Sequence, residues 1–150
     1  MPQLALTTPL GEITLAEEAG AIVALAWGGG RDRSTPTPLL ARAARQLQAY
    51  FDGEDVAFDD IPLAPPGTPF QRRVWEALRA IPRGATRGYG DLARTLATSA
   101  RAVGGACARN PIPILIPCHR VVSADGSLAG YSGGEGAKTK RFLLALEGAL

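Results

Sequence analysis

The sequence predicts an α/β fold in two parts: a small N-terminal antiparallel sheet with one helix over residues 1–65, and a helical domain over residues 66–150. Three observations carry this. Short β-branched runs broken by Gly and Pro fill the start of the chain. Apolar residues at helical spacing recur after Thr68. Between them, "LAPPGTP" places Pro65, Pro66 and Gly67 in succession, which interrupts regular structure, and the charge balance changes sign there.

In chain order, "LALTT", "EITLAE" and "AIVALAW" read as three strands joined by the turns "PLG" and "EAG". "GGGRDRSTPTP" is a loop. "PLLARAARQLQAYF" spaces Leu39, Leu40, Ala43, Leu47 and Phe51 as a helix does, and Asp52-Gly53 ends it. "VAF" (56–58) is a candidate for one more short strand. Past the boundary, Thr68 caps "PFQRRVWEALRAI", with Pro69 at the first helical position and Phe70, Val74, Leu78 and Ile81 as its buried stripe. "YGDLARTLA" is a second short helix. Ser99 caps a third, "ARAVGGACAR", which stops at Asn110-Pro111. "AKTKRFLLALEGAL" is a final amphipathic helix reaching the C-terminus. Three short, closely connected helices have the spacing of a helix-turn-helix, although small helical bundles in general look alike.

Composition narrows the function classes. The 150 residues contain two cysteines and one histidine, too few for a disulfide framework or a four-ligand zinc site, so free thiols in a reducing, cytoplasmic compartment are expected. No signal segment and no membrane-spanning apolar run is seen, so no membrane partner is expected. The net charge of +2 conceals a division: residues 1–65 hold four basic and nine acidic residues, whereas residues 66–150 hold twelve basic, ten of them Arg, and five acidic. An Arg-rich half suits a polyanionic partner, although a solvated surface would look the same.

Two stretches carry chemistry. "SARAVGGACARNP" is nearly all Ala and Gly, and Gly104 and Gly105 each cost a helix about 1 kcal/mol relative to Ala. So thin a helix either packs closely on another helix or lies in a nucleic-acid groove, where Arg101 would fill the gap left by an extruded base. The second is "PIPILIPCHRVV". Cys118 follows an apolar run and precedes the only histidine. A free thiol titrates near pH ~8.5 and burial raises that further, so a nucleophilic Cys118 needs a proton acceptor. His119 would serve through a bridging water, because adjacent side chains of an extended segment point apart. Glu147, the only acid in the second half of the last helix, would orient the imidazole as in a hydrolase triad. An inert buried thiol, a core histidine and a solvated helix-end acid are the alternatives for the three. Cys107 reads as packing.

Together these stretches resemble one family. "NPIPILIPCHRVV" is similar to the active-site signature of the methylated-DNA–protein-cysteine methyltransferases, the O6-alkylguanine-DNA alkyltransferases. "FQRRVWEALRAIPRGATRGYGDLA" resembles their first helices, "ARAVGGACARNP" their recognition helix and "GSLAGYSGG" their pocket loop. The resemblance runs from Thr68 to the C-terminus. Residues 1–65 match loosely, through "TPLGEITLA" and "YFDG".

The resemblance implies a ribonuclease-H-like N-terminal domain followed by a winged-helix-like, helix-turn-helix DNA-binding domain that holds the reactive cysteine. It implies single-turnover transfer of an alkyl group from O6 of guanine, and to a lesser extent O4 of thymine, in double-stranded DNA. Cys118 would be the nucleophile, His119 the water-mediated base and Glu147 its support. Asn110 would hold the turn that joins the recognition helix to the thiol. Tyr89 would donate to guanine N3 and help rotate the 3′ phosphate. Ala100, Arg101, Ala102, Gly104 and Arg109 would face DNA, with Arg101 as the finger. Tyr131, Ser132, Gly133 and Val121 would line the base pocket. No cofactor and no metal is expected, and the protein would act as a monomer. One departure is Gly88, where a Ser or Thr often precedes Tyr89. The rivals are a non-enzymatic helix-turn-helix protein that binds DNA damage or regulates, and a cysteine hydrolase, for which no oxyanion motif is seen. A phosphate-loop reading of "GYSGGEGAKT" fails because Ala137 stands between Gly136 and Lys138.

Overall fold

The computed structural model describes residues 1–29, 35–128 and 131–150, in two compact units, Met1–Pro66 and Gly67–Leu150. Part of the loop after the third strand (30–34) and two residues of the pocket loop (129–130) lie outside the described residues.

The first unit is a meander. Strands β1 (Gln3–Thr8), β2 (Gly11–Glu18) and β3 (Ala21–Trp27) pair antiparallel in that order. The β2–β3 connection is two residues, Ala19 and Gly20, both at positive φ, which matches the twist of the flanking strands. Helix α1 (Pro38–Phe51) covers one face of this sheet. Thr37 caps it by accepting from the Leu40 N–H, and Gly53 at φ +95° closes it, its N–H bonding to Tyr50 O and that of Glu54 to Ala49 O. Leu40, Ala43 and Leu47 of α1 and Ile13, Leu15 and Ile22 of the sheet have no exposed surface. The expected strand at 56–58 is absent. Phe58 stands at φ +62°, off the extended region, and its ring packs on Tyr50. The extra pairing falls later, as a single parallel bridge between Leu63 and Ile22.

The second unit is helical. Helix α2 (Pro69–Arg79) begins in a capping box in which Thr68 and Gln71 satisfy each other's backbone N–H groups. A two-residue strand, β4 (Arg87–Gly88), leads into α3 (Tyr89–Thr95), and α4 (Ala100–Ala108) follows, capped by Ser99. Trp75 of α2 is buried and its indole N–H donates to Ala106 O at 2.9 Å, tying α2 to α4. After a tight turn at Cys118–Arg120, β5 (Val121–Val122) pairs parallel with β4, and α5 (Ala137–Leu146) ends the fold.

Three expectations need correction. Helix α2 ends at Arg79 rather than Ile81, three residues before Pro82. Helix α4 ends at Ala108, with Arg109 as its cap. Helix α5 does not reach the terminus: Glu147 is its C-cap and Gly148 reverses the chain at φ +80°, its N–H bonding to Ala145 O and that of Ala149 to Leu144 O.

Candidate active site

The segment before Cys118 is not the extended strand its apolar run suggests. Pro111, Pro113 and Pro117 lack N–H donors, so no ladder forms. Asn110 takes its place: its amide donates to Ile116 O at 2.8 Å and its side-chain oxygen accepts from the Ile112 N–H at 3.0 Å. The Ile116 N–H closes the loop on Ile112 O, and Ile114 adopts φ +74° at its tip. Asn110 is therefore the brace between the end of α4 and the turn that carries the thiol. Because Cys118–Arg120 is a single helical turn, three successive side chains fan around one buried centre.

Glu147 anchors that centre. As the cap of α5 it points inward, and one oxygen meets His119 Nε2 at 2.7 Å. Arg120 grips the same carboxylate twice, Nε to Oε1 at 2.9 Å and Nη2 to Oε2 at 3.0 Å, while its Nη1 donates to Ile81 O at 2.7 Å. A planar guanidinium suits this two-point grip. His119 is fully buried, and burial pulls its pKa down; Glu147 pushes it back up, and Arg120 and Lys140 oppose protonation. With Nε2 facing the carboxylate, Nε2 is assigned the proton and Nδ1 carries the lone pair. Nδ1 is buried without a hydrogen-bond partner among the described residues, a base with its acceptor site open.

Cys118 is buried, and its desolvation raises the thiol pKa. The Asn110 side chain, the positive charge of Lys140 and a backbone N–H pull the other way. Cys107, also buried and reduced, has its thiol pushed up to about 12, mainly by burial, and stays protonated near neutrality. Tyr89, half-buried at the start of α3, is likewise raised to about 12, mostly by desolvation, so its phenol holds its proton. Tyr131 is raised by burial and its hydroxyl has no partner among the described residues. Ser132 donates to Ala108 O at 3.2 Å, fastening the pocket loop to the end of α4, and Gly133 O accepts from the Gly136 N–H. Val121 is buried at the β4–β5 pair, beside Arg87.

The DNA-facing candidates lie on α4 and its C-cap. Ala100, Arg101 and Arg109 are exposed, and Ala102 and Gly104 are partly covered. The glycines bear on one of the two readings of this thin helix. A Cβ added at Gly105 would meet nothing within 4 Å, and one at Gly104 would meet only Tyr89 Cε1, at 4.0 Å. Close packing within the chain therefore does not require them. Gly88 offers no capping hydroxyl to the first turn of α3; the other half of the cap is kept, since Asp91 accepts from the Gly88 N–H at 3.1 Å.

Two residues escaped the sequence reading. Arg120 stood in view beside His119, but nothing in the sequence showed that it shares Glu147. Lys140 is fully buried. Its signal was its place: Lys140, Leu143, Leu144 and Glu147 follow the helical stripe that α5 buries. Among the described residues no group of three or more His, Cys, Asp or Glu is arranged to hold a metal ion, and no helix is long and apolar enough to cross a membrane.

Comparison with known proteins agrees with this geometry. Residues 69–149 match the family described as 6-O-methylguanine DNA methyltransferase, DNA binding domain, and residues 5–65 its ribonuclease-like domain. The constitutive methylated-DNA–protein-cysteine methyltransferase of Bacillus subtilis is 43% identical over 93% of this chain and 91% of its own length. The methylated-DNA–protein-cysteine methyltransferase of Mycobacterium tuberculosis is 45% identical over 93% of this chain and 88% of its own. Among solved structures, Mycobacterium tuberculosis OGT in complex with DNA superposes with a TM-score of 0.87 at 43% identity, covering 99% of this chain and 94% of that one. With both units matched and the buried Cys-His-Glu centre in place, the chain belongs to the methylated-DNA–protein-cysteine methyltransferase family.

Proposed function

We propose that this protein repairs double-stranded DNA by moving the alkyl group from O6 of guanine onto Cys118, and that it does so once per molecule. O4 of alkylated thymine is a lesser target. The observation that carries the reading is the buried centre itself: a thiol adjacent in the chain to an imidazole whose Nε2 is held by Glu147 at 2.7 Å and whose Nδ1 bonds to none of the described residues. An inert thiol would not need a buried carboxylate, guanidinium and imidazole around it, since burying such groups is costly.

The steps follow from the residues. The target carbon is hidden inside the duplex, so the nucleotide must swing out, and a damaged pair opens more cheaply. Arg101 fills the space it leaves, and the bare backbone of α4 allows approach to a minor groove about 6 Å wide. The Cys118 proton passes, through a water, to His119 Nδ1, and Glu147 stabilises the imidazolium. The thiolate attacks the alkyl carbon as the C–O bond breaks. Negative charge appears on the departing guanine, where the Tyr89 hydroxyl at N3 and the Ser132 N–H at O6 receive it, and Tyr131, Gly133 and Val121 shape the pocket. The thioether that results has no partner in the site able to cleave it. The protein works as a monomer in the cytoplasm.

The rival of a non-enzymatic DNA binder lacks support: the relatives matched over nearly the whole chain are named as cysteine methyltransferases. The test is stoichiometry. With excess O6-methylguanine duplex, methyl transfer should stop at one equivalent of protein; continued turnover would refute the reading. Affinity for DNA should fall steeply with salt and depend little on sequence, because contacts are to backbone and minor groove.

A further inference from the structure

Lys140 is buried for no reason that the fold supplies. It has no exposed surface, and its Nζ has no hydrogen-bond partner among the described residues. The ion pairs among the described residues of this unit go elsewhere, Glu147 to His119 and Arg120, Asp91 to Arg94, and Glu135 to Lys138. An unpaired ammonium out of water is strongly destabilising, and an apolar side chain of the same length would fill the space without that cost. Its surroundings are specific. From α3 the ring of Tyr89 lies under it, 5.7 Å from Nζ to the centroid. Cys107 of α4, and Cys118 and His119 of the active-site turn, are the other titratable groups that feel its charge.

Of these neighbours, Tyr89 and Cys107 hold their protons at neutral pH, and His119 is neutral or positive. Cys118 alone becomes an anion on the way to product. We propose that Lys140 is a positioning residue for alkyl transfer: its ammonium is the fixed counter-charge of the Cys118 thiolate and, through a cation–π contact, holds the Tyr89 ring in the pocket. This rests on the reading of function given above. The ammonium forms and breaks no bond. The thiol proton goes to His119, the alkyl carbon exchanges its bond to O6 for one to sulfur, and the negative charge leaves sulfur for guanine. Burial pulls the Lys140 pKa below the ordinary lysine value and the charges of Cys118 and Cys107 push it back up, so its ammonium is favoured as the Cys118 anion forms, in a place the fold has already set. The same arrangement accounts for a lysine that weakens the fold: stability is given up at a functional site.

The experiment uses the full chain and the K140M variant, with K140Q, uncharged but polar, as a second variant should Met pack poorly. Two quantities are read against pH: the rate at which iodoacetamide labels Cys118, resolved from Cys107 by peptide mapping, and the rate of methyl transfer from an O6-methylguanine duplex. The Lys140 charge pulls the Cys118 thiol down, and an opposite charge of this kind is worth about one unit or more, so loss of Lys140 should move the labelling midpoint upward and slow both rates at pH ~7 by about tenfold or more. The melting temperature should stay level or rise. A variant that labels with the wild-type midpoint, or that slows only in proportion to a lowered melting temperature, overturns the proposal. If instead the wild-type chain transfers no methyl group while the labelling shift is present, the reading of function fails and the effect of Lys140 on the thiol stands.

Discussion

The two units of this chain bury different things. Among the described residues of Met1–Pro66, those buried are apolar apart from Thr8 and Thr14, each satisfied by a short backbone hydrogen bond. In Gly67–Leu150 the interior holds His119, Arg120, Lys140 and Glu147 as well as two thiols. The first pattern is what stability alone selects, since apolar burial is the main favourable term in folding. The second departs from it at one place, and the departure marks the chemistry.

Truncation should separate them most. Leu47→Ala removes a fully buried side chain from the first unit and should cost about 2–5 kcal/mol of stability, with methyl transfer per folded molecule unchanged. Glu147→Gln strands Arg120 and His119 in the second. It should cost about 3–5 kcal/mol and also slow transfer by roughly 10²-fold or more, because the base loses its orienting partner. Chemical denaturation and single-turnover kinetics on both variants check this. If transfer by the Glu147 variant slows no more than its folded fraction falls, the contrast breaks.

The surface of α4 gives the next effect. Arg101 is exposed on α4. Arg101→Ala should leave the melting temperature unchanged and slow transfer in duplex DNA by roughly 10- to 100-fold, the share of the unstacking energy it repays. Transfer from a free O6-alkylguanine base, which needs no extrusion, should be much less affected, and the ratio of the two rates is the measurement.

Acid sharpens the contrast in another way. His119 is buried with its pKa pulled below the ordinary histidine value of 6.5. Below that value the unfolded chain takes up a proton that the folded chain refuses, so stability falls as pH drops from 6.5 toward the lowered folded-state value. His119→Gln should flatten the fall in melting temperature between pH 7 and 5; an unchanged slope would place the acid sensitivity elsewhere. The smallest effect lies away from the site. Ala97 ends α3 at φ +56°, with Thr98 N–H bonded to Ala93 O, a position that favours glycine. Ala97→Gly should raise stability by about 0.5–1 kcal/mol in a thermal melt, without touching transfer.

Much of this was legible in the sequence, for reasons that can be named. The helix caps at Thr68 and Ser99 and the stop at Gly53 are local signals, and each stands where the sequence puts it. The pairing of His119 with Glu147 was inferable because the chain has one histidine and its last helix one late acid. What was hidden depended on contacts distant in sequence. The apolar run before Cys118 looks extended; the resemblance pointed to Asn110 as the residue holding the turn, but not to its bond across six residues to Ile116 O. Arg120 and Ile81 meet across 39 residues. Nothing but its register with Leu143 and Leu144 distinguishes the buried Lys140 from the exposed Lys138.

The central claim is that Cys118 keeps the alkyl group. It is tested most directly by intact mass and peptide mapping after incubation with an O6-methylguanine duplex. The account predicts one added methyl group per molecule, on the peptide carrying Cys118 and absent from Cys107, with none in Cys118→Ala although that variant still binds the duplex. A Cys118 that stays unmodified while the lesion disappears, or a methyl group found on another residue, would contradict it.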